Sequence, residues 1–181
     1  NSENWLNKIG PQKSFLNREV HIMRPTWNIL IFIFIIITST PFYSSAQNPA
    51  MKPAIEKLKA GKKFQRNGQH DKAIVNYQQA LSLFRKLGKE DGVAISLNNI
   101  GKVYNSWGQY DKAIEHYQQA LAITRKLRME GHIAVRLNNI GEVYIKRGEY
   151  EKAIENFREA LAIDRKLRRK DKIATRLNNI G

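Results

Sequence analysis

Asparagine pairs are the residues of this chain best placed to do chemistry. Asn98-Asn99, Asn138-Asn139 and Asn178-Asn179, each set between Leu and Ile-Gly, recur every 40 residues. A carboxamide both donates and accepts hydrogen bonds. A row of them can therefore hold the backbone of an extended peptide without reading its sequence, or can bond within itself and stiffen the structure that carries it. Reaction chemistry finds no comparable support. His21, His70, His116 and His132 share no metal-ligand spacing and have no matching acid or thiol, so they read as exposed or packing residues. Glu115, Glu155 and Glu159 read as solvated helix faces, the last two among Lys152 and Arg158. The sequence has no Gly-rich phosphate loop and no cysteine, which excludes a disulfide framework and a thiolate nucleophile. The expectation is a binding segment without catalytic residues, cofactor or metal.

The amides belong to a longer repeat, and its elements must position them. The run from Gln109 to Tyr117 returns from Glu149 to Phe157 and, more loosely, from Gln69 to Tyr77. A period of roughly 20 to 50 residues marks a stacked repeat architecture. Leu137, Ile140, Gly141 and Tyr144 fall at i, i+3, i+4 and i+7, one stripe of an α-helix that Gly148 ends. A second helix starts near Tyr150, with Glu151 in its first turn, where negative charge is favoured, and Ala153, Phe157, Ala160 and Leu161 as its stripe. Each unit is thus a helical hairpin.

Gly101 and Gly141 lie mid-helix, where Gly costs about 1 kcal/mol relative to Ala, and close approach of a neighbouring helix is the expected compensation. Ala73, Ala113 and Ala153, with Ala80, Ala120 and Ala160, are the small residues of the second helix. They let the paired backbones come near each other while Tyr77, Tyr117 and Phe157 fill the space beside them.

These positions resemble the tetratricopeptide repeat family. Its pattern of a large apolar residue, Leu-Gly, Tyr, Gly, Tyr, Ala, an aromatic and Ala is met by Leu97, Ile100-Gly101, Tyr104, Gly108, Tyr110, Ala113, Tyr117 and Ala120. It is met again by Leu137, Ile140-Gly141, Tyr144, Gly148, Tyr150, Ala153, Phe157 and Ala160. The first unit matches at Ala60-Gly61, Phe64, Gly68, Ala73, Tyr77 and Ala80, while Lys57 and His70 replace apolar or aromatic residues and fit a polar N-terminal cap. The resemblance covers residues 52 to 181 and implies an all-α, right-handed superhelical solenoid of antiparallel helix hairpins. Two departures stand out. The repeat is 40 residues instead of about 34, and Arg125 and Arg165 stand where the family closes the second helix with Pro. The long form resembles kinesin-light-chain-like and bacterial arrays and implies longer helices.

A step of 100° per residue places Val135, Asn138, Asn139, Glu142, Ile145 and Lys146 on a different face from the Leu137 stripe. In the resembled family that face lines the concave groove. Stacking aligns Asn98, Asn138 and Asn178 in one row and Asn99, Asn139 and Asn179 in another, with Lys62, Lys102 and Glu142 beside them. The candidate partner-binding residues are accordingly Asn98, Asn99, Lys102, Val135, Asn138, Asn139, Glu142, Asn178 and Asn179. The resemblance implies that Asn99, Asn139 and Asn179 contact peptide backbone or a terminal carboxylate. The partner is expected to be a protein or peptide, in a scaffold role. The alternative is a sensory or recruiting arm of a larger enzyme, protease-like or a sensor kinase, with its catalytic domain beyond residue 181.

The net charge is +15, but basic pairs such as Arg125-Lys126 and Arg165-Lys166 sit where helices end and complement the helix dipole. A nucleic-acid partner is disfavoured on that ground. Met23-Arg24-Pro25-Thr26-Trp27-Asn28 leads into the apolar run Ile29 to Ile37 and then to Ser44-Ser45-Ala46, the three parts of a secretory signal peptide. The expected organisation is an upstream or fragment segment at 1–22, a signal peptide at 23–46 and a short linker at 47–53. An array follows at 54–181, with units at 54–93, 94–133 and 134–173 and the start of a fourth. The expected location is periplasmic or extracellular. The alternative is a membrane anchor through residues 27–43; membrane contact is expected only through such an uncleaved signal segment or a region outside this sequence.

Overall fold

Helix ends set the geometry of this array. A residue with positive φ recurs every 20 positions, at 68, 88, 108, 128, 148 and 168. The computed structural model describes residues 49–180; the segments expected at 1–22 and 23–46 lie outside them. After a 3-10 turn at Pro49–Met51 come seven α-helices: α1 (Lys52–Arg66), α2 (His70–Lys86), α3 (Glu90–Ser106), α4 (Tyr110–Lys126), α5 (Glu130–Lys146), α6 (Tyr150–Lys166) and α7 (Lys170–Ile180). Among the described residues there is no strand. Hairpins α1/α2, α3/α4 and α5/α6 stack in order, α7 packs on α6, and the first helices α3 and α5 also touch. The fold is an all-α helical repeat solenoid.

Each three-residue connection closes in the same way. After the second helix of the first hairpin, the Gly88 amide donates to Arg85 O (3.1 Å) and the Lys89 amide to Phe84 O (2.9 Å). This pairing satisfies the last carbonyls of a helix and requires a left-handed residue. Glycine fills that place four times; Arg128 (φ 53°) and Arg168 (φ 54°) fill it twice. Asp or Glu stands in the first turn of every helix from α2 onward. Arg-Lys stands in the last turn of α2, α4 and α6, so both signs complement the dipole. The antiparallel hairpin brings these ends together as Lys126–Glu90 (2.6 Å) and Lys166–Glu130 (2.5 Å). Such exposed pairs contribute little, about 0–1 kcal/mol each.

The expected unit boundaries at 94 and 134 fall inside α3 and α5, which begin four residues earlier. Repetition fixes a period but not a phase, and the phase is set by the left-handed residues at 88 and 128. His70 does not cap an outer face. It takes the place of Tyr110 and Tyr150 and stacks on Trp107, ring centroids 5.5 Å apart.

The core is a run of small residues facing aromatics. Ala73, Ala80, Ala113, Ala120, Ala153 and Ala160 are fully buried, and Tyr77, Tyr117 and Phe157 nearly so. A Cβ placed on Gly61, Gly101 or Gly141 would come within 2.7, 2.7 and 2.6 Å of the rings of Tyr77, Tyr117 and Phe157 respectively. The mid-helix glycines are therefore seats for aromatic rings of the partner helix. Tyr104 packs against both core clusters and makes the interior continuous.

Gly101→Ala is expected to lower stability by about 1–3 kcal/mol through overpacking, although helix propensity alone predicts a gain of about 1 kcal/mol. Urea unfolding decides the sign. Arg128→Gly is expected to raise stability by about 0.5–1 kcal/mol, because glycine adopts the left-handed conformation without the Cβ clash; a lowered thermal midpoint would contradict this.

Candidate functional site

The amides of the first helices do not form straight rows. The Asn139 side chain donates from Nδ2 to Asn98 Oδ1 (2.8 Å), and Asn179 Nδ2 donates to Asn138 Oδ1 (3.0 Å). The second Asn of each pair thus reaches back, 41 residues, to the first Asn of the preceding unit. Adjacent residues diverge by 100° on a helix, so one amide of a pair faces the unit before and the other faces the unit after. Asn138 is fully engaged: its Nδ2 donates to Glu142 Oε1 (2.5 Å), and its Oδ1 also accepts from Arg176 Nη1 (2.7 Å). A parallel link, Lys146 Nζ to Asn105 Oδ1 (2.9 Å), ties α5 to α3 one turn or more further along.

Asn98, Asn138 and Asn139 are consequently buried and hold neighbouring hairpins together. Val135 and Asn179 are half-buried, while Lys102, Glu142 and Asn178 are exposed. Asn99 differs from the rest. Its partner in the ladder would stand at position 58, and that residue is Leu58, which cannot accept a hydrogen bond. Among the described residues the Asn99 side chain makes no hydrogen bond, and it is half-buried. It lies in a depression of about 660 Å³ between α1 and α3, together with Leu58 and Ile55. Four cations, Lys59, Lys62, Arg66 and Lys102, line the same depression, and among the described residues no carboxylate does. The arrangement suits an anionic group bound beside a backbone-type hydrogen bond.

No group of three or more His, Asp or Glu suited to a metal exists among the described residues, and His21 lies outside them. His116 stacks on Tyr104 with ring centroids 5.4 Å apart; burial lowers its pKa from the ordinary 6.5, against the opposing pull of Glu115. Glu159 is not simply solvated, since Arg125 Nη2 reaches its Oε1 at 2.7 Å from the preceding hairpin. Two features escaped the sequence reading. Leu58 freeing Asn99 is one, and the other is a set of buried polar residues between hairpins: Ser96, Thr124, Arg136, Asp164 and Arg176. The available signal for the second was variation in columns 84/124/164 and 96/136/176 of the repeat.

Two family models, each described as tetratricopeptide repeat, match residues 61–126 and 134–167, together more than half of the sequence. The chain belongs to the tetratricopeptide repeat family. Among solved structures it is similar to the TPR domain of FLU from Arabidopsis, at 28% identity over 63% of this chain and 96% of that one, with a TM-score of 0.59. It is also similar to the TPR2AB domain of yeast Sti1, solved as a complex with pHSP90, at 27% identity over 70% of this chain and 45% of that one, with a TM-score of 0.59. A third is the nearly identical TPR-like repeats of a Podosopora anserina putative kinesin light chain, at 21% identity over 64% of this chain and 57% of that one, with a TM-score of 0.55, a likeness of fold alone. The chain spans about half the length of the Sti1 and kinesin-light-chain structures. No curated protein matches it. Fold and family make this segment a protein-interaction scaffold, of a kind generally without catalysis.

If the amide ladder ties hairpins together, Asn139→Ala strands the buried Asn98 carbonyl and lowers stability by about 1–3 kcal/mol. Asn99→Ala, which breaks no bond, leaves stability within about 0.5 kcal/mol. Chemical denaturation of the two variants side by side measures the contrast.

Proposed function

We propose that this segment is an exported scaffold that receives an acidic, extended stretch of a partner protein in the depression between α1 and α3. The observation that carries the reading is the free amide of Asn99 beside Leu58, surrounded by Lys59, Lys62, Arg66 and Lys102. The amide supplies a donor and an acceptor for one peptide group. The four cations attract carboxylates and raise the rate of encounter, while Ile55 and Leu58 offer apolar surface to an adjacent side chain. The buried amides of the later units set the spacing of the first helices but are themselves occupied. Similarity to the Sti1 structure solved with pHSP90 supports a polypeptide partner. Export is supported by the sequence order of a charged lead, an apolar run from Ile29 to Ile37 and the small residues Ser44 and Ala46.

Fluorescence anisotropy of the full chain with a labelled acidic peptide, against a control with Gln for each Glu, tests the site. The acidic peptide is expected to bind and the control to bind at least tenfold more weakly. Asn99→Ala and Lys62→Glu each weaken binding about tenfold, the equivalent of about 1.4 kcal/mol. Leu58→Asn, which completes the ladder and engages Asn99, also weakens it while leaving the fold intact. Equal affinity of wild type and all three variants would overturn the proposal.

A further inference from the structure

The two junctions between hairpins and the one between the last hairpin and α7 are built on the same positions with different chemistry. Between α2 and α3, Phe84 is buried against Gly92, where a Cβ would strike its ring, and Ser96 donates to the Gly92 carbonyl at 2.9 Å. Between α6 and α7, Asp164 and Arg176 take the places of Phe84 and Ser96. Both are buried, with Arg176 Nε 3.3 Å from Asp164 Oδ2 and Arg169 Nη1 3.3 Å from Asp164 Oδ1. Arg176 also donates from Nη1 to Asn138 Oδ1. Its buried charge therefore has a counter-charge and a hydrogen bond.

The junction between α4 and α5 has the cation without the anion. Arg136 is as buried as Arg176, each 4% exposed, but Thr124 stands opposite in place of Asp164. Its Oγ1 turns back to the carbonyls of Ala120 and Leu121, at 3.0 Å each. Among the described residues Arg136 makes no ion pair and no side-chain hydrogen bond. Nε is the one of its nitrogens that is both sealed from solvent and unpaired, so Nη1 and Nη2 keep what little solvent contact this 4% exposed residue has. The neighbouring charges do not compensate. Burial, then Arg136, then Arg169 hold the His132 pKa below its ordinary value. On α3, Lys102 stands at the place that Glu142 holds in α5, and Glu142 itself accepts from Asn138. A guanidinium taken out of water without an anion is strongly unfavourable, whereas its paired terminal N–H groups match a carboxylate or phosphate bidentately.

We infer that Arg136 anchors an oxyanion site at the second junction, which takes a carboxylate or phosphate group through its two terminal nitrogens. The site is separate from the depression at Asn99 and stands on different residues. The bound anion does for Arg136 what Asp164 does for Arg176.

The test is thermal unfolding of the full chain in sodium phosphate and in sodium chloride at matched ionic strength. Phosphate is expected to raise the wild-type Tm by several degrees, as a ligand specific to the folded state does. Thr124→Asp, which copies the third junction, raises Tm in chloride and removes the extra response to phosphate. Arg136→Ser, which copies the first junction, also removes the response and keeps the test open should the buried aspartate prevent folding. Asn99→Ala retains the response, which separates this site from the groove. Hexaglutamate in place of phosphate identifies the source: an Arg136-dependent rise with both probes assigns the site to acidic side chains as well as free anions, and a rise with phosphate alone assigns it to free anions. A wild type indifferent to both probes, or an Arg136→Ser variant that responds as the wild type does, overturns the inference.

Discussion

An aromatic ring resting on a glycine in the middle of the facing helix is the contact on which the array depends. Tyr77 on Gly61, Tyr117 on Gly101 and Phe157 on Gly141 each leave no room for even a methyl group. The contact fixes both the separation of the two helices in a hairpin and their axial register, because a ring can sit only where the stripe lacks a side chain. Alanines at 73, 113 and 153 and at 80, 120 and 160 keep the rest of the interface equally close. Interiors packed to this density transmit position, so the outer faces of α1, α3 and α5 inherit a common alignment. Without that alignment Asn139 could not meet Asn98 at 2.8 Å across 41 residues.

Much of this was legible in the residues. The hairpins, the mid-helix glycines and the alanine stripes follow from spacing alone, since each is a statement about one helix or one pair. What spacing could not supply was phase and offset between units. The repeat gives the period but does not say whether a helix begins at 90 or 94; units taken at 54–93 and 94–133 separate Glu90 from Asn98, and the left-handed turn at position 88 puts both in one helix. A helical wheel puts both amides of a pair on one face. It does not say that the first belongs to the following neighbour and the second to the preceding one, so straight rows were expected where diagonals form. Arg136 was missed for a related reason. A charged residue beside an apolar stripe reads as solvated, and only its junction partners at 124 and 164 reveal that the column is interior.

The junctions also show how near-identical repeats can keep a fixed order. The ring and glycine are common to every hairpin, so hairpin formation carries no information about which unit it is. The residues that differ lie between hairpins: Phe84 with Gly92 and Ser96, Thr124 with Arg136, Asp164 with Arg176. Exchanging neighbours would set a phenyl ring against a guanidinium or strand a buried carboxylate. A misplaced buried charge is penalised far more heavily than a surface ion pair such as Lys126–Glu90 is rewarded. Order is thereby specified by the polar columns, and stability mostly by the apolar ones.

The division of labour among the amides follows from the same logic of neighbours. An asparagine that has a unit before it is drawn into the stack, as Asn139 and Asn179 are. Asn99 also has a unit before it, but that unit presents Leu58 at the accepting position. One substitution in the first hairpin therefore converts a structural amide into an open one, and it does so beside Lys59, Lys62, Arg66 and Lys102. The first hairpin is the least regular of the three by sequence, and one of its departures, Leu58, lines the depression where α1 meets α3. Irregularity in a repeat array is informative in proportion to the burial around it. At an exposed position it changes little, whereas at position 58 it releases a donor and an acceptor that every later unit keeps for itself.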